Sequence, residues 1–190
     1  MASDAPIVIY DANILFPFHV GHILTFMAVR RLVLARWTKT IQNEWLDNIA
    51  KKFPDELDGC KRRCAAMNRA LPDAMVSDYE HRIGDIVFHD PGDRHVIAAA
   101  IHARAVGIVT RDRRHFTPDT LSPFGLASID PDELLVGCRQ RFPTDCLETV
   151  EAARRSLTRT CPTWDHYLDI LERQNLQNFV AKLRGRRPNR

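Results

Sequence analysis

The stretch from Asp90 to Asp112, Asp-Pro-Gly-Asp-Arg-His-Val-Ile-Ala-Ala-Ala-Ile-His-Ala-Arg-Ala-Val-Gly-Ile-Val-Thr-Arg-Asp, constrains the fold more than any other part of the chain. Asp90, Pro91 and Gly92 are turn formers, and Asp93 then stands where a helix starts. Val96, Ile97, Ala100, Ile101 and Ala103 give that helix a small, apolar face suited to packing on a sheet. Gly107 follows, and Val106, Ile108 and Val109 read as a short buried strand ended by Thr110-Arg111-Asp112. A helix of about 12 residues climbs roughly 18 Å, and a strand of about 5 residues returns roughly 16 Å. Asp93 and Asp112 should therefore meet at one edge of a parallel sheet. That edge, the carboxyl end of the strands, is where open α/β sheets bind their ligands. Two carboxylates brought together there repel unless a cation lies between them.

The preceding chain supplies two more acids. Ile7-Val8-Ile9-Tyr10 reads as a central strand, ended at once by Asp11-Ala12-Asn13. Asp11 is either a carboxylate at the same sheet edge or a cap for the turn or helix that follows. Residues 19 to 34 carry a helical apolar pattern at Ile23, Leu24, Met27, Ala28, Leu32 and Leu34, with His19 and His22 read as helix-end histidines. Thr38 or Thr40 starts a second helix whose apolar stripe is Ile41, Trp45, Leu46 and Ile49. Glu44 lies beside that stripe, as an exposed helix former or as a carboxylate aimed at the sheet edge. Residues 55 to 71 predict a third helix. Its Cys60 and Cys64 share a face, without the second Cys or His pair that zinc needs. A short helix is expected around Tyr79 to Ile83.

After Asp112, Phe116 is expected to pack back into the core. Arg113, Arg114 and His115 either steer a phosphate backbone or decorate a loop. Leu126 to Ile129 reads as a last strand, and Asp130 caps the next helix with Pro131 in its first turn. Beyond about Val136 the pattern is helix after helix, at 146–157, 164–173 and 176–183. The face formed by Trp164, Tyr167, Leu168 and Leu171 favours packing on the core. The basic stretch 184–190 reads as a flexible tail.

Composition narrows the class. A chain of 190 residues with 45% hydrophobic content suits one globular domain with a substantial core. No apolar run approaches the roughly 18 residues of a membrane span, and the first residues lack the features of a secretory leader. Five cysteines without a compact framework predict reduced thiols and a cytoplasmic protein. The net charge of +3 is unevenly spread: residues 1–134 hold 16 Lys/Arg against 18 Asp/Glu, and residues 135–190 hold 11 against 6. The basic last segment reads as a face for a polyanion or as a solvated helical surface. No GxGxxG, P-loop or GxSxG sequence is present.

Strands alternating with helices predict an α/β domain with a parallel sheet. Asp11, Asp93 and Asp112 would share its carboxyl edge, and Glu44 can join them from a helix. Four carboxylates and no thiolate cluster suit hard cations, Mg²⁺ or Mn²⁺. Such ions can hold a phosphodiester, activate a water and neutralise the charge that develops on the phosphate. No side-chain nucleophile is needed, and none is evident.

The motifs Ile-Val-Ile-Tyr-Asp11-Ala-Asn13, Glu44, Asp90-Pro-Gly-Asp93-Arg-His-Val-Ile-Ala-Ala-Ala and Val-Thr110-Arg-Asp112-x-x-His-Phe116 resemble a PIN domain. They are most similar to the VapC-type ribonuclease toxins of bacterial toxin–antitoxin pairs. The resemblance covers roughly residues 6–134, and the Asp90–Ala100 segment is its most specific part. It implies a PIN-like α/β/α sandwich over residues 1–134, followed by a helical extension over 135–190 that the shortest family members lack. It further implies a Mg²⁺- or Mn²⁺-dependent endoribonuclease, usually a homodimer, restrained by a cognate antitoxin that often places an Arg among the carboxylates. Asp11, Glu44, Asp93 and Asp112 would be the catalytic metal-binding acids, with Asn13, Thr110 and Asp90 in support. Arg111, Arg113 and Arg114 would help seat the RNA backbone. Two other readings are a PIN-type RNA-processing nuclease outside toxin–antitoxin systems and a catalytically idle interaction module, against which the presence of all four acids speaks. Nothing in the sequence separates ribose from deoxyribose substrates.

Overall fold

The computed structural model describes residues 5–157, 159–161 and 163–185. Four short strands, β1 (Ile7–Tyr10), β2 (Leu34–Arg36), β3 (Gly107–Val109) and β4 (Ala127–Ile129), form a parallel sheet in the order β2-β1-β3-β4. Val8, Ile9 and Tyr10 are all fully buried, as are Ile108 and Val109. Residues pointing to opposite faces are thus covered alike, which is why these strands read as continuous apolar runs. β4 approaches β3 so closely that a Cβ on Gly107 would collide with the Ala127 carbonyl.

Helices cover the sheet. The first five are α1 (Ala12–Leu15), α2 (Phe18–Val29), α3 (Lys39–Lys52), α4 (Leu57–Ala70) and α5 (Arg94–His102). They are followed by α6 (Pro118–Leu121), α7 (Pro131–Arg141), α8 (Pro143–Arg155), α9 (Trp164–Arg173) and α10 (Gln177–Leu183). The arrangement is the PIN-like α/β/α fold with a helical C-terminal part. The small-residue helix α5 packs on β1 and β3, its Ala98, Ala99 and Ala100 fully buried. Thr38 caps α3 through the Ile41 amide, as its position predicts.

Two local expectations change. The helix predicted over 19–34 stops at Val29. Arg31 turns the chain with φ of 57°, a left-handed conformation that Gly usually signals. Leu34-Ala35-Arg36 becomes β2, pairing Ile7 with Leu34; Leu32 and Leu34 had continued the helical period by coincidence. The helix predicted from Asp93 begins as a 3-10 turn over Pro91–Asp93, capped by the Asp90 carboxylate on the Gly92 amide, and only then becomes α5.

Register sets the site. Tyr10 pairs with Val109, and Val109 with Ile129. The Asp11 amide donates to the Val109 carbonyl at 3.1 Å, and the Thr110 amide to that of Ile129 at 3.0 Å. Asp11, Thr110 and Asp130 therefore leave the sheet at one level.

The C-terminal helices pack on this frame: α10 on α7, α8 on α2 and α7, and α9 on α10, α2 and α8. Trp164, Tyr167, Leu168 and Leu171 are buried there. The buried Asp132 of α7 accepts from the Asn178 and Phe179 amides at 3.0 and 2.7 Å and from Asn178 Nδ2 at 2.8 Å. It so caps the first turn of α10. Residues 134 and 135, between which the sequence suggests a division, both lie inside α7. The expected basic tail from residue 186 onward lies outside the described residues. Among those described, no helix is long and apolar enough to cross a membrane.

Candidate active site

Beyond the carboxyl edge of the sheet lies a cavity of about 460 Å³ lined by Asp11, Asn13, Phe16, Glu44, Asn48, Lys52, Asp93, Asp112 and neighbouring residues. The four acids singled out from the sequence thus share one cavity, although they come from four separate segments.

Asp11, 7% exposed, is the deepest. Its Oδ1 accepts from the Ala12 amide at 2.7 Å, so it does cap α1, and its Oδ2 accepts from Asn13 Nδ2 at 2.5 Å and Thr110 Oγ1 at 2.7 Å. The cap thus also lines the cavity. Asn13 Nδ2 also reaches Thr110 Oγ1 at 2.8 Å, and its Oδ1 accepts from the Arg111 amide at 3.0 Å. Thr110 Oγ1 accepts in turn from the Asp112 amide at 3.0 Å. This network joins the ends of β1 and β3. Burial pushes the Asp11 carboxyl up to about 6, opposed by its hydrogen bonds and reinforced by the charges of Asp93 and Glu44.

Glu44 projects from α3, and its Oε1 lies 2.8 Å from Nε2 of His95 on α5. That pair crosses between two helices and fixes the carboxylate. Asp112 turns its Oδ1 onto the Arg114 and His115 amides at 3.1 and 3.2 Å. The His115 ring faces three carboxylates through one nitrogen: Nδ1 lies 3.0 Å from Asp93 Oδ2, 3.6 Å from Asp112 Oδ2 and 3.7 Å from Asp90 Oδ2. Burial and then the Asp90 charge raise the Asp93 carboxyl above its ordinary value, while His115 pulls it down.

Asp90 lies at the margin. It does not line the cavity; it caps its own turn and faces His115. Asp90, Asp93 and His115 nevertheless hold three possible ligand atoms within 4.8 Å of one another. The sequence offers His115 for a phosphate backbone, not for contact with the acids, and His95 is not singled out at all: it is 51 residues from Glu44, so no local pattern links them.

The arginines divide. The Arg111 guanidinium donates to the Gln174 carbonyl at the end of α9. Arg113 Nη1 stands 3.6 Å from Glu133 Oε1 on α7. Both side chains so turn toward the C-terminal helices, and Arg114 is exposed. The physical reason is that α7 and α9 offer a carboxylate and a helix C-terminal carbonyl, both natural partners for a cation.

An oxygen-rich set of Asp11, Glu44, Asp93 and Asp112 fits a hard divalent cation. The sign of fit within the structure is that all four carboxylates line one cavity; burial first, and then the charges of Asp93 and Glu44, raise the Asp11 carboxyl, and a cation there would favour its charged form.

Residues 131–185 match the family described as the VapC50 C-terminal domain. A 44-residue segment is 46% identical to the "Putative ribonuclease VapC50" of Mycobacterium tuberculosis. It makes up 23% of this chain and 26% of that protein, so the match spans about a quarter of the relative's length. No solved structure gives a significant match. The family match falls in the helical segment, and the PIN motifs lie before it.

Proposed function

We propose that the chain is a VapC-type PIN-domain protein, a metal-dependent endoribonuclease and the toxin of a toxin–antitoxin pair. The observation that carries the reading is the convergence of Asp11, Glu44, Asp93 and Asp112 on one cavity at the carboxyl edge of a parallel sheet. The relative named as a ribonuclease supports the substrate class.

Asp11, Glu44, Asp93 and Asp112 would hold Mg²⁺ or Mn²⁺, which when bound supplies Lewis acidity toward the phosphodiester and its attacking water. The protein's own residues do the positioning. Asn13 and Thr110 orient Asp11, His95 orients Glu44, and the Arg114 and His115 amides orient Asp112. His115 bridges Asp93 and Asp112 through Nδ1 and so holds the two carboxylates relative to each other. Arg114 offers an exposed cation to the RNA backbone. We extend the reading to a homodimer, with residues 1–134 as the nuclease unit and 135–190 as an extension packed on it.

The deciding experiment is cleavage of a labelled structured RNA by chelator-stripped protein, with and without Mn²⁺, beside Asp93→Asn. Cleavage that requires metal and disappears in folded Asp93→Asn supports the assignment; retained cleavage in that variant rejects it. The toxin reading is tested separately, by growth arrest on expression and its relief by a protein encoded alongside.

A further inference from the structure

Glu44, Asn48 and Lys52 follow one another at four-residue intervals on α3, so they form one row along the helix, each step advancing about 6 Å. All three line the carboxylate cavity. The row therefore leads from the acids, past an exposed amide, to an exposed cation. At its end stand two aromatic rings. Phe16, directly after α1, lines the same cavity, and Phe53, directly after α3, is 45% exposed. Their centroids are 5.7 Å apart with the planes tilted by 45°, and Lys52 Nζ lies 5.9 Å from the centre of the Phe16 ring.

We propose that Phe53, Phe16, Lys52 and Asn48 form a subsite for one unstacked nucleotide of single-stranded RNA, adjoining the phosphodiester at the carboxylates. The proposal rests on the nuclease reading above. An exposed phenylalanine is common on protein surfaces and alone says nothing. Here the exposed ring belongs to a pair, the pair is joined to the acidic cavity by a shared wall, and the connecting helix face carries a cation and an amide. Those are the parts that single-strand recognition requires. An aromatic face stacks on a base, a cation meets the adjoining phosphate, and an amide can donate to and accept from a base edge. Lys52 also supplies charge complementarity at the mouth of a cavity whose floor is acidic. It admits a phosphate there without neutralising the metal ligands further in. A duplex keeps its bases stacked on each other and offers no free face to Phe53. The subsite thus selects RNA in loops or single strands, with little discrimination among bases.

The test uses full-length protein carrying Asp93→Asn, so that RNA is bound and not cut. Anisotropy of a fluorescein-labelled single-stranded hexanucleotide is measured beside that of a duplex of equal length. Phe53→Ala should weaken single-strand binding by about 5- to 100-fold, as for other base–aromatic stacks, with Phe53→Tyr restoring it. The duplex should bind no more weakly than before. Lys52→Gln, which alters no packed ring, should weaken single-strand binding and lower the slope of log K against log salt by about 0.7. In the cleaving background, the loss in kcat/KM caused by Phe53→Ala should be carried by KM. Unchanged single-strand binding in Phe53→Ala at an unchanged melting temperature overturns the subsite, as does an equal loss for the duplex. If wild-type protein cleaves RNA while Phe53→Ala keeps its KM, the subsite fails and the nuclease stands. If the wild type neither cuts nor binds single strands, both fail.

Discussion

Two buried aspartates differ in a way that separates the two halves of this molecule. Asp11 is 7% exposed and Asp132 is 5% exposed, and each accepts three hydrogen bonds. Asp132 receives its bonds from the first turn of α10, where unpaired amides and the helix dipole both favour a negative charge. Asp11 receives the same number of bonds but stands among Asp93 and Glu44, whose charges add to the effect of burial. Equal hydrogen bonding therefore leaves the two acids in opposite situations. Asp132 closes a joint whose parts all belong to the chain. Asp11 belongs to an assembly that is left short of positive charge, the condition that a metal site needs before the metal arrives.

The sharpest way to break this contrast is to neutralise each acid in turn. Asp11→Asn should reduce RNA cleavage by about 1,000-fold or more, since several kcal/mol of transition-state stabilisation depend on the metal it would hold. The metal-free variant should melt no lower than the wild type. A variant that unfolds would place Asp11 with Asp132, among the structural acids.

The second test uses pH. The folded-state value for Asp11, about 6, lies above its value in the unfolded chain, near 3.8. Below about pH 4 the group is protonated in both states. Between those values the folded state holds the proton that the unfolded chain gives up, so stability falls as pH rises, and the decline levels off above the folded value. The whole contribution is on the order of 3 kcal/mol. Urea melts from pH 4 to 7 in chelator should show a decline in the wild type that is missing from Asp11→Asn. Parallel curves for the two proteins would contradict the raised Asp11 carboxyl that burial, and after it the neighbouring acids, produce.

Metal addition should act in the opposite sense. At a Mn²⁺ concentration of 100 times its Kd, the wild type should gain about 2.7 kcal/mol at neutral pH, read as a rise in melting temperature. Asp11→Asn should show little of that rise. Asp132→Ala, by contrast, should lose about 2 kcal/mol of stability by leaving the amides of Asn178 and Phe179 unpaired. At temperatures where it remains folded it should keep both its metal response and its cleavage.

These contrasts also explain which features could be read from the sequence. β1, α5 and the acids that follow β1 and β3 were legible because each is a local pattern: an apolar run, a small-residue helix, an acid at a strand end. β2 was hidden because Leu32 and Leu34 prolong the helical period of α2, and the turn between them is made by Arg31 at positive φ, with no Gly or Pro to mark it. His95 and the Asp132 joint depend on partners 51 and 46 residues away, so only the folded chain shows them. The sequence reading of Asp11 offered a cap or a site acid as alternatives. The structure shows the cap and leaves room for the other role, because the two oxygens serve different donors and the side chain lines the cavity.

Arg111 is where the two regions touch, and it gives the smallest and most discriminating effect. Its amide serves the site by holding Asn13 Oδ1, while its guanidinium serves the extension through the Gln174 carbonyl. Burial lowers its affinity for the proton, and Asp130 and Asp132 compensate from the α7 side. Arg111→Met keeps the amide and much of the packing but removes the guanidinium. Because the Gln174 carbonyl ends a helix and the side chain is only half-buried, the loss of stability should be about 1 kcal/mol. Cleavage should fall by less than 10-fold, because the Asn13 contact is made by the backbone. A large loss of cleavage at unchanged stability would restore Arg111 to the RNA, as the sequence first implied. A small loss shared between stability and cleavage would leave it as the residue through which the helical extension steadies the end of β3.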